Sequence, residues 1–126
     1  MVALRPTLLN ELRDYAKTRV SHIGLWGHTR ELSGGDPPYT RLPVTWVDGD
    51  IGIITPATDL TFNIPPEATI TAWRGFSSAT GGVNFGGGTF GERYGPYKTQ
   101  GVFDLLANFT TIRITSRRVP GGDGER

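Results

Sequence analysis

Apolar side chains recur at helical spacing near the N-terminus and at alternating positions along most of the remaining chain. Leu8, Leu12 and Tyr15 follow a 4, 3 spacing with Leu9 and Ala16 beside them, while Asn10, Glu11, Arg13, Asp14 and Lys17 mostly occupy the other face. This stripe predicts an amphipathic helix over residues 6–18. Pro6 suits its first position, because the N–H that proline lacks would be unpaired there. So short a helix is marginal alone in water. Its stripe therefore needs a surface to pack on, either its own sheet or a neighbouring subunit.

Beyond Lys17 the period falls from about 3.6 to 2. Residues 20–26 read as a strand, residues 33–38 (SGGDPP) as a loop, and residues 39–47 as a second extended run. Asp48, Gly49 and Asp50 make a turn signal, followed by a short strand over residues 51–55. Leu60, Phe62 and Ile64 alternate with Thr61 and Asn63 in a half-buried strand ended by Pro65 and Pro66. Residues 69–76 follow, with Ile70, Ala72 and Phe76 on one side and Trp73 on the other. Residues 83–90 are laced with glycine, residues 94–107 hold one or two strands, and residues 109–116 are rich in Thr and Ile. About eight short strands with turn signals every 8–12 residues predict an all-β, jelly-roll-like β-sandwich with one N-terminal α-helix. The chain divides into a docking helix (residues 1–19), a sandwich domain (residues 20–116) and a flexible C-terminal tail (residues 117–126).

Composition narrows the function classes. Eighteen glycines and nine prolines in 126 residues, without a collagen period, imply many turns and support the short-strand reading. Cysteine is absent, which excludes disulfides and thiolate metal sites. Thirteen basic and 12 acidic side chains leave a net charge of +1, no footprint for nucleic acid or an anionic membrane. The opening MVALRPTLL has no apolar run of the roughly 7–15 residues that a secretory signal needs. No stretch approaches the roughly 20 apolar residues needed to span a bilayer, so no membrane insertion is expected.

Candidate chemistry is sparse. His22 and His28 would lie about 20 Å apart on a straight strand at roughly 3.3 Å per residue, too far to share a metal ion. Asp48, Gly49 and Asp50 begin like a calcium loop, but Gly52 and Asp59 stand where it needs an oxygen ligand and a glutamate. The glycine run from Gly86 to Gly91 lacks the Lys and Ser/Thr of a phosphate loop, so its glycines are read as allowing bulges or close backbone approach. No Gly-x-Ser-x-Gly elbow exists for a serine nucleophile. Asn108, Phe109 and Thr110 match a glycosylation sequon and are read as a coincidence inside a strand. Trp26, Trp46 and Trp73 are expected in the core or a subunit interface, an exposed row of rings being the alternative that would favour sugar binding. The sequence thus predicts no enzyme, no cofactor and no metal. Leu8, Leu9, Leu12 and Tyr15 are the candidate assembly interface.

One stretch carries a resemblance. His22-Ile23-Gly24-Leu25-Trp26 is followed by Glu31-Leu32-Ser33-Gly34-Gly35 and then by Tyr39-Thr40-Arg41-Leu42-Pro43-Val44-Thr45-Trp46. Residues 60–65 (LTFNIP), 69–76 (TITAWRGF) and 81–86 (GGVNFG) continue the pattern. Over residues 7–105 the chain resembles small virion structural proteins of tailed phages, chiefly of actinobacteria, which are labelled minor tail, tail fibre or head-decoration proteins. It departs at Trp26-Gly27-His28, where that family tends to have His-Thr-Ala. The resemblance implies a structural protein of a tailed-phage virion, assembled in the host cytoplasm. It would be a minor tail or tail-fibre-type subunit working as a homo-oligomer with other virion proteins. Capsid decoration and host-glycan binding are the alternatives it leaves open. Within the quoted stretch, Arg41 is expected to pair with Glu31 or an edge carboxylate, and Trp46 to plug the sandwich.

Overall fold

The computed structural model describes residues 5–113. The tail assigned to residues 117–126 lies outside the described residues, as do the first four residues and the last three of the sandwich segment. The chain opens with helix α1 (Pro6–Arg19), with Pro6 at its start and Lys17 and Arg19 in its last turn, where cations complement the helix dipole. Ten strands follow: β1 (His22–Gly27), β2 (Arg30–Glu31), β3 (Leu42–Pro43), β4 (Trp46–Asp48), β5 (Ile53–Pro56), β6 (Leu60–Ile64), β7 (Ile70–Phe76), β8 (Asn84–Tyr94), β9 (Gly101–Leu105) and β10 (Ile112–Arg113). The protein is all-β with one N-terminal helix, as the alternating pattern predicts.

The strands form three antiparallel sheets. In the largest, the order is β2-β1-β7-β8 and β3 also pairs with β1; β10-β5-β4 and β6-β9 make the other two. The strand count exceeds the expected eight because very short strands carry no periodic signal. Residues 39–47, read from sequence as one extended run, contribute β3 to the large sheet and β4 to the three-stranded one. The sequon falls in a 3-10 turn (Ala107–Phe109) rather than a strand, and Thr110 is buried with its hydroxyl donating to Ala107 O.

The core lies between the large sheet and the β6–β9 pair. Ile23 and Leu25 of β1 and Ile70 and Trp73 of β7 meet Phe62 and Ile64 of β6 and Leu105 of β9, with Leu32 and Tyr39 closing one side. Ile70 and Trp73 share this core although simple alternation puts them on opposite faces. The β7–β8 register shifts between Ile70 and Ala72, and such an irregularity lets both reach the same side. Phe76 is buried on the other face of the large sheet.

Candidate functional site

β1 has two partners on one edge. Trp26 and Gly27 pair with Glu31 and Arg30 of β2, while His22 and Ile23 pair with Pro43 and Leu42 of β3. Between them the edge is completed by a side chain: the Leu25 N–H donates to the Tyr39 hydroxyl at 2.9 Å. That hydroxyl donates in turn to Glu31 Oε2 at 2.7 Å. The Glu31 carboxylate also takes Arg41 Nε at 2.9 Å and Nη2 at 3.0 Å, a two-pronged ion pair. Arg41 Nη1 donates to the carbonyls of Ser78 and Gly81, and its guanidinium sits 3.5 Å from the centre of the Phe76 ring. Burial pushes the Tyr39 hydroxyl well above its ordinary pKa, and its bond to Glu31 adds to the shift.

Gly24 makes room for this cluster. A Cβ there would lie 2.6 Å from the Tyr39 hydroxyl, 2.8 Å from Glu31 Oε2 and 2.9 Å from the Phe76 ring. The Glu31–Arg41 pair expected from sequence is therefore present, and the Gly-Gly-Asp-Pro-Pro loop returns the chain so that Tyr39 and Arg41 meet it. With each of these polar groups engaged inside the fold, the arrangement is a joint between sheet edge and loop.

The other candidates lie elsewhere in the fold. His22 and His28 stand at opposite ends of β1; His22 Nδ1 is 2.8 Å from Ser21 Oγ, and His28 lies exposed in a turn. Among the described residues no three of His, Cys, Asp or Glu gather as metal ligands. Asp48, Gly49 and Asp50 form the β4–β5 turn, closed by Gly49 N–H to Ile53 O and Ile53 N–H to Asp50 O. Trp73 is buried; Trp46 is half-buried against the core and its Nε1 donates to Val20 O at 2.7 Å. Trp26 is half-buried beside the Arg74 guanidinium, 5.5 Å from its ring. The three tryptophans do not form a row of exposed rings.

The helix is where the surface departs from a closed domain. α1 touches its own body largely with polar side chains. Lys17 Nζ donates to Asp48 Oδ1 at 2.7 Å, Arg13 Nη2 lies 3.6 Å from Asp48 Oδ2, and Gly52 N–H donates to Asn10 Oδ1 at 3.0 Å. The bond to Asp48 holds Lys17 above its ordinary pKa, and the bond from Arg13 lowers Asp14. Leu9 and Ala16 are half-covered on that flank. Leu8, Leu12 and Tyr15 face away, 41%, 38% and 60% exposed. Arg19 continues this stripe: it lies 5.9 Å from the Tyr15 ring and 5.4 Å from the ring of Phe85 on β8, itself an exposed aromatic.

No family model, curated protein or solved structure matches the chain. No described helix is long and apolar enough to cross a membrane. Three of the four proposed interface residues thus share one open face, and Leu9 turns toward the body. The polar latch of Asn10, Arg13 and Lys17 had no signal in the sequence, because nothing local says that Asp48 and Gly52 lie opposite them. The open stripe leaves the side chains of Leu8, Leu12 and Tyr15 uncovered by the described residues.

Proposed function

We propose that the chain is a structural subunit of a tailed-phage virion, of minor tail or tail-fibre type, that assembles as an oligomer through α1. The observation that carries this reading is a helix latched to its body by polar contacts while Leu8, Leu12 and Tyr15 stay exposed. Their 4, 3 spacing is the seam spacing by which helices pack side by side, each apolar side chain entering a gap on its partner. A contiguous apolar strip on a small soluble domain marks an interaction surface. Phe85 and the Arg19 guanidinium extend the strip onto the sandwich, so a partner helix would also touch β8. The resemblance over residues 7–105 supplies the particle; the exposed stripe supplies the manner of attachment.

The test is sedimentation. The purified protein is expected to run above its 13.7 kDa monomer mass. A variant carrying Leu8→Ser, Leu12→Asp and Tyr15→Ser is expected to run as a monomer with unchanged strand-region circular dichroism. A wild-type monomer at high concentration would overturn assembly through α1. Copy number per particle then separates the two locations: a few copies for a tail subunit, hundreds for head decoration.

A further inference from the structure

Asp48 is followed by Gly49 in the β4–β5 turn, and α1 straps that turn at both ends. At its start Asp48 Oδ1 accepts from Lys17 Nζ at 2.7 Å, and Oδ2 lies 3.6 Å from Arg13 Nη2. At its far end the Gly52 N–H donates to Asn10 Oδ1 at 3.0 Å. Between the straps the Gly49 N–H donates to Ile53 O at 2.8 Å. Helix and turn thus occupy the two groups of one latent reaction, the Asp48 carboxyl and the amide nitrogen that follows it.

That reaction moves the backbone onto the side chain. The Gly49 nitrogen attacks Asp48 Cγ. The carboxyl, protonated for the step, gives up its hydroxyl, the nitrogen gives up its hydrogen, and the two leave as water. A five-membered imide ring remains, closed by the new N–Cγ bond. One water then opens it. Cleavage of the N–Cγ bond restores aspartate. Cleavage of the bond from the nitrogen to the Asp48 main-chain carbonyl leaves isoaspartate, joined to Gly49 through Cγ, with the former main-chain carbonyl as its free carboxylate. Composition is unchanged, and nothing but water takes part.

Asp48 is where the described chain invites this step. The following nitrogen must come close, and glycine, having no Cβ, hinders it least. The other described aspartates precede Tyr, Pro, Ile or Leu, and no described asparagine precedes glycine. The Asp48 side chain is 47% exposed, so water reaches it for proton uptake and for ring opening. The straps stand against the step. They hold the carboxylate on the helix side and steady the turn that keeps the Gly49 N–H on Ile53.

We infer that Asp48 is a site of spontaneous conversion to isoaspartate, that latched α1 guards it, and that conversion releases the polar hold on the helix. Isoaspartate draws the Asp48 Cβ into the main chain. The turn gains one carbon, and the carboxylate sits directly on Cα, withdrawn from Lys17 and Arg13. The inference rests on the contacts between α1 and the turn, and not on the particle proposed above.

The experiment ages the purified full chain for several weeks at body temperature and mildly acidic pH. Conversion is read by peptide mapping with electron-transfer fragmentation, which tells isoaspartate from aspartate. Residues 123 and 124 repeat the Asp-Gly pair outside the described residues, so the reading is taken on the peptide that holds residue 48. Lys17→Ala is expected to convert several-fold faster than the wild type. Added salt, which screens exposed pairs, is expected to speed the wild type more than this variant. The variant should unfold close to the wild-type urea midpoint, so faster conversion in it reports the lost strap and not unfolding. Asp48→Glu, which would need a six-membered ring, is expected to stay unconverted. Aged wild-type chains are expected to be cut by trypsin after Arg13 and Lys17 faster than fresh ones. The site is overturned if residue 48 stays aspartate in both the wild type and Lys17→Ala. The guard is overturned if the two convert at one rate, and the release of the helix if aged and fresh chains are cut alike.

Discussion

Two polar contacts tie distant parts of this chain together, and they are built to different strengths. At the β1 edge, Glu31 accepts from Tyr39 and doubly from Arg41, with the two charged side chains only 22% and 11% exposed. At the helix, Asp48 accepts from Lys17 and lies near Arg13, but its side chain is 47% exposed. A carboxylate with basic partners welds one joint and only clips the other. What differs is desolvation and geometry: a bidentate pair in a half-dry site is costly to break, whereas solvent competes for a single-pronged surface pair at every moment. The difference also explains why the helix can leave Leu8 and Leu12 uncovered. Its attachment to the body does not use them.

Three substitutions sharpen the contrast. The largest effect is expected from Arg41→Ala, which strands the Glu31 carboxylate and frees the carbonyls of Ser78 and Gly81. Urea unfolding should show a loss of about 3 kcal/mol or more. A loss under about 1 kcal/mol would mean that the edge joint is no stronger than the helix clip. Tyr39→Phe comes next. It removes the acceptor of the Leu25 N–H and one donor to Glu31, at a cost of about 1–2 kcal/mol at neutral pH. The sign of its pH dependence follows from the raised pKa. Neutral Tyr39 is the form the fold favours, so its contribution is complete below the ordinary value of 10.0 and is lost as pH climbs beyond it toward the raised folded value. Wild-type stability should therefore fall above that pH more steeply than that of the phenylalanine variant, as urea midpoints on either side of it would show. The smallest effect belongs to Lys17→Ala, which should leave the urea midpoint close to that of the wild type. A larger loss would place the helix among the welded elements.

How much of this was legible along the chain depended on whether the signal was local. Leu60, Phe62 and Ile64 alternate cleanly, and β6 spans the residues that the alternation predicts. Arg41 was expected to pair with Glu31 or an edge carboxylate, and the structure shows that Glu31 is its partner. Tyr39 was not legible in its role, because a hydroxyl standing in for a strand partner requires knowing that β2 and β3 leave a gap on β1. β8 runs continuously from Asn84 to Tyr94, yet its glycines offer no apolar alternation to read; its pairing with β7 makes it a strand. For the candidate site, the stripe on α1 was plain in the 4, 3 spacing. Which side of the helix docks was not, since that depends on Asp48 and Gly52, more than 30 residues away.

The clip on α1 has a consequence for how tightly copies must fit. The pairs of Lys17 and Arg13 with Asp48, one hydrogen bond from Gly52 and the half-covered Leu9 and Ala16 hold the helix, and water competes for the polar part of that hold. We expect a fraction of molecules to have the helix lifted from its body at any instant. Added salt, which shortens the screening length from about 10 Å at 0.1 M to about 3 Å at 1 M, should raise that fraction. A connector that lifts this readily gives each subunit angular slack. In the assembly proposed above, neighbouring sandwiches could then sit at unequal angles while their helices keep one seam.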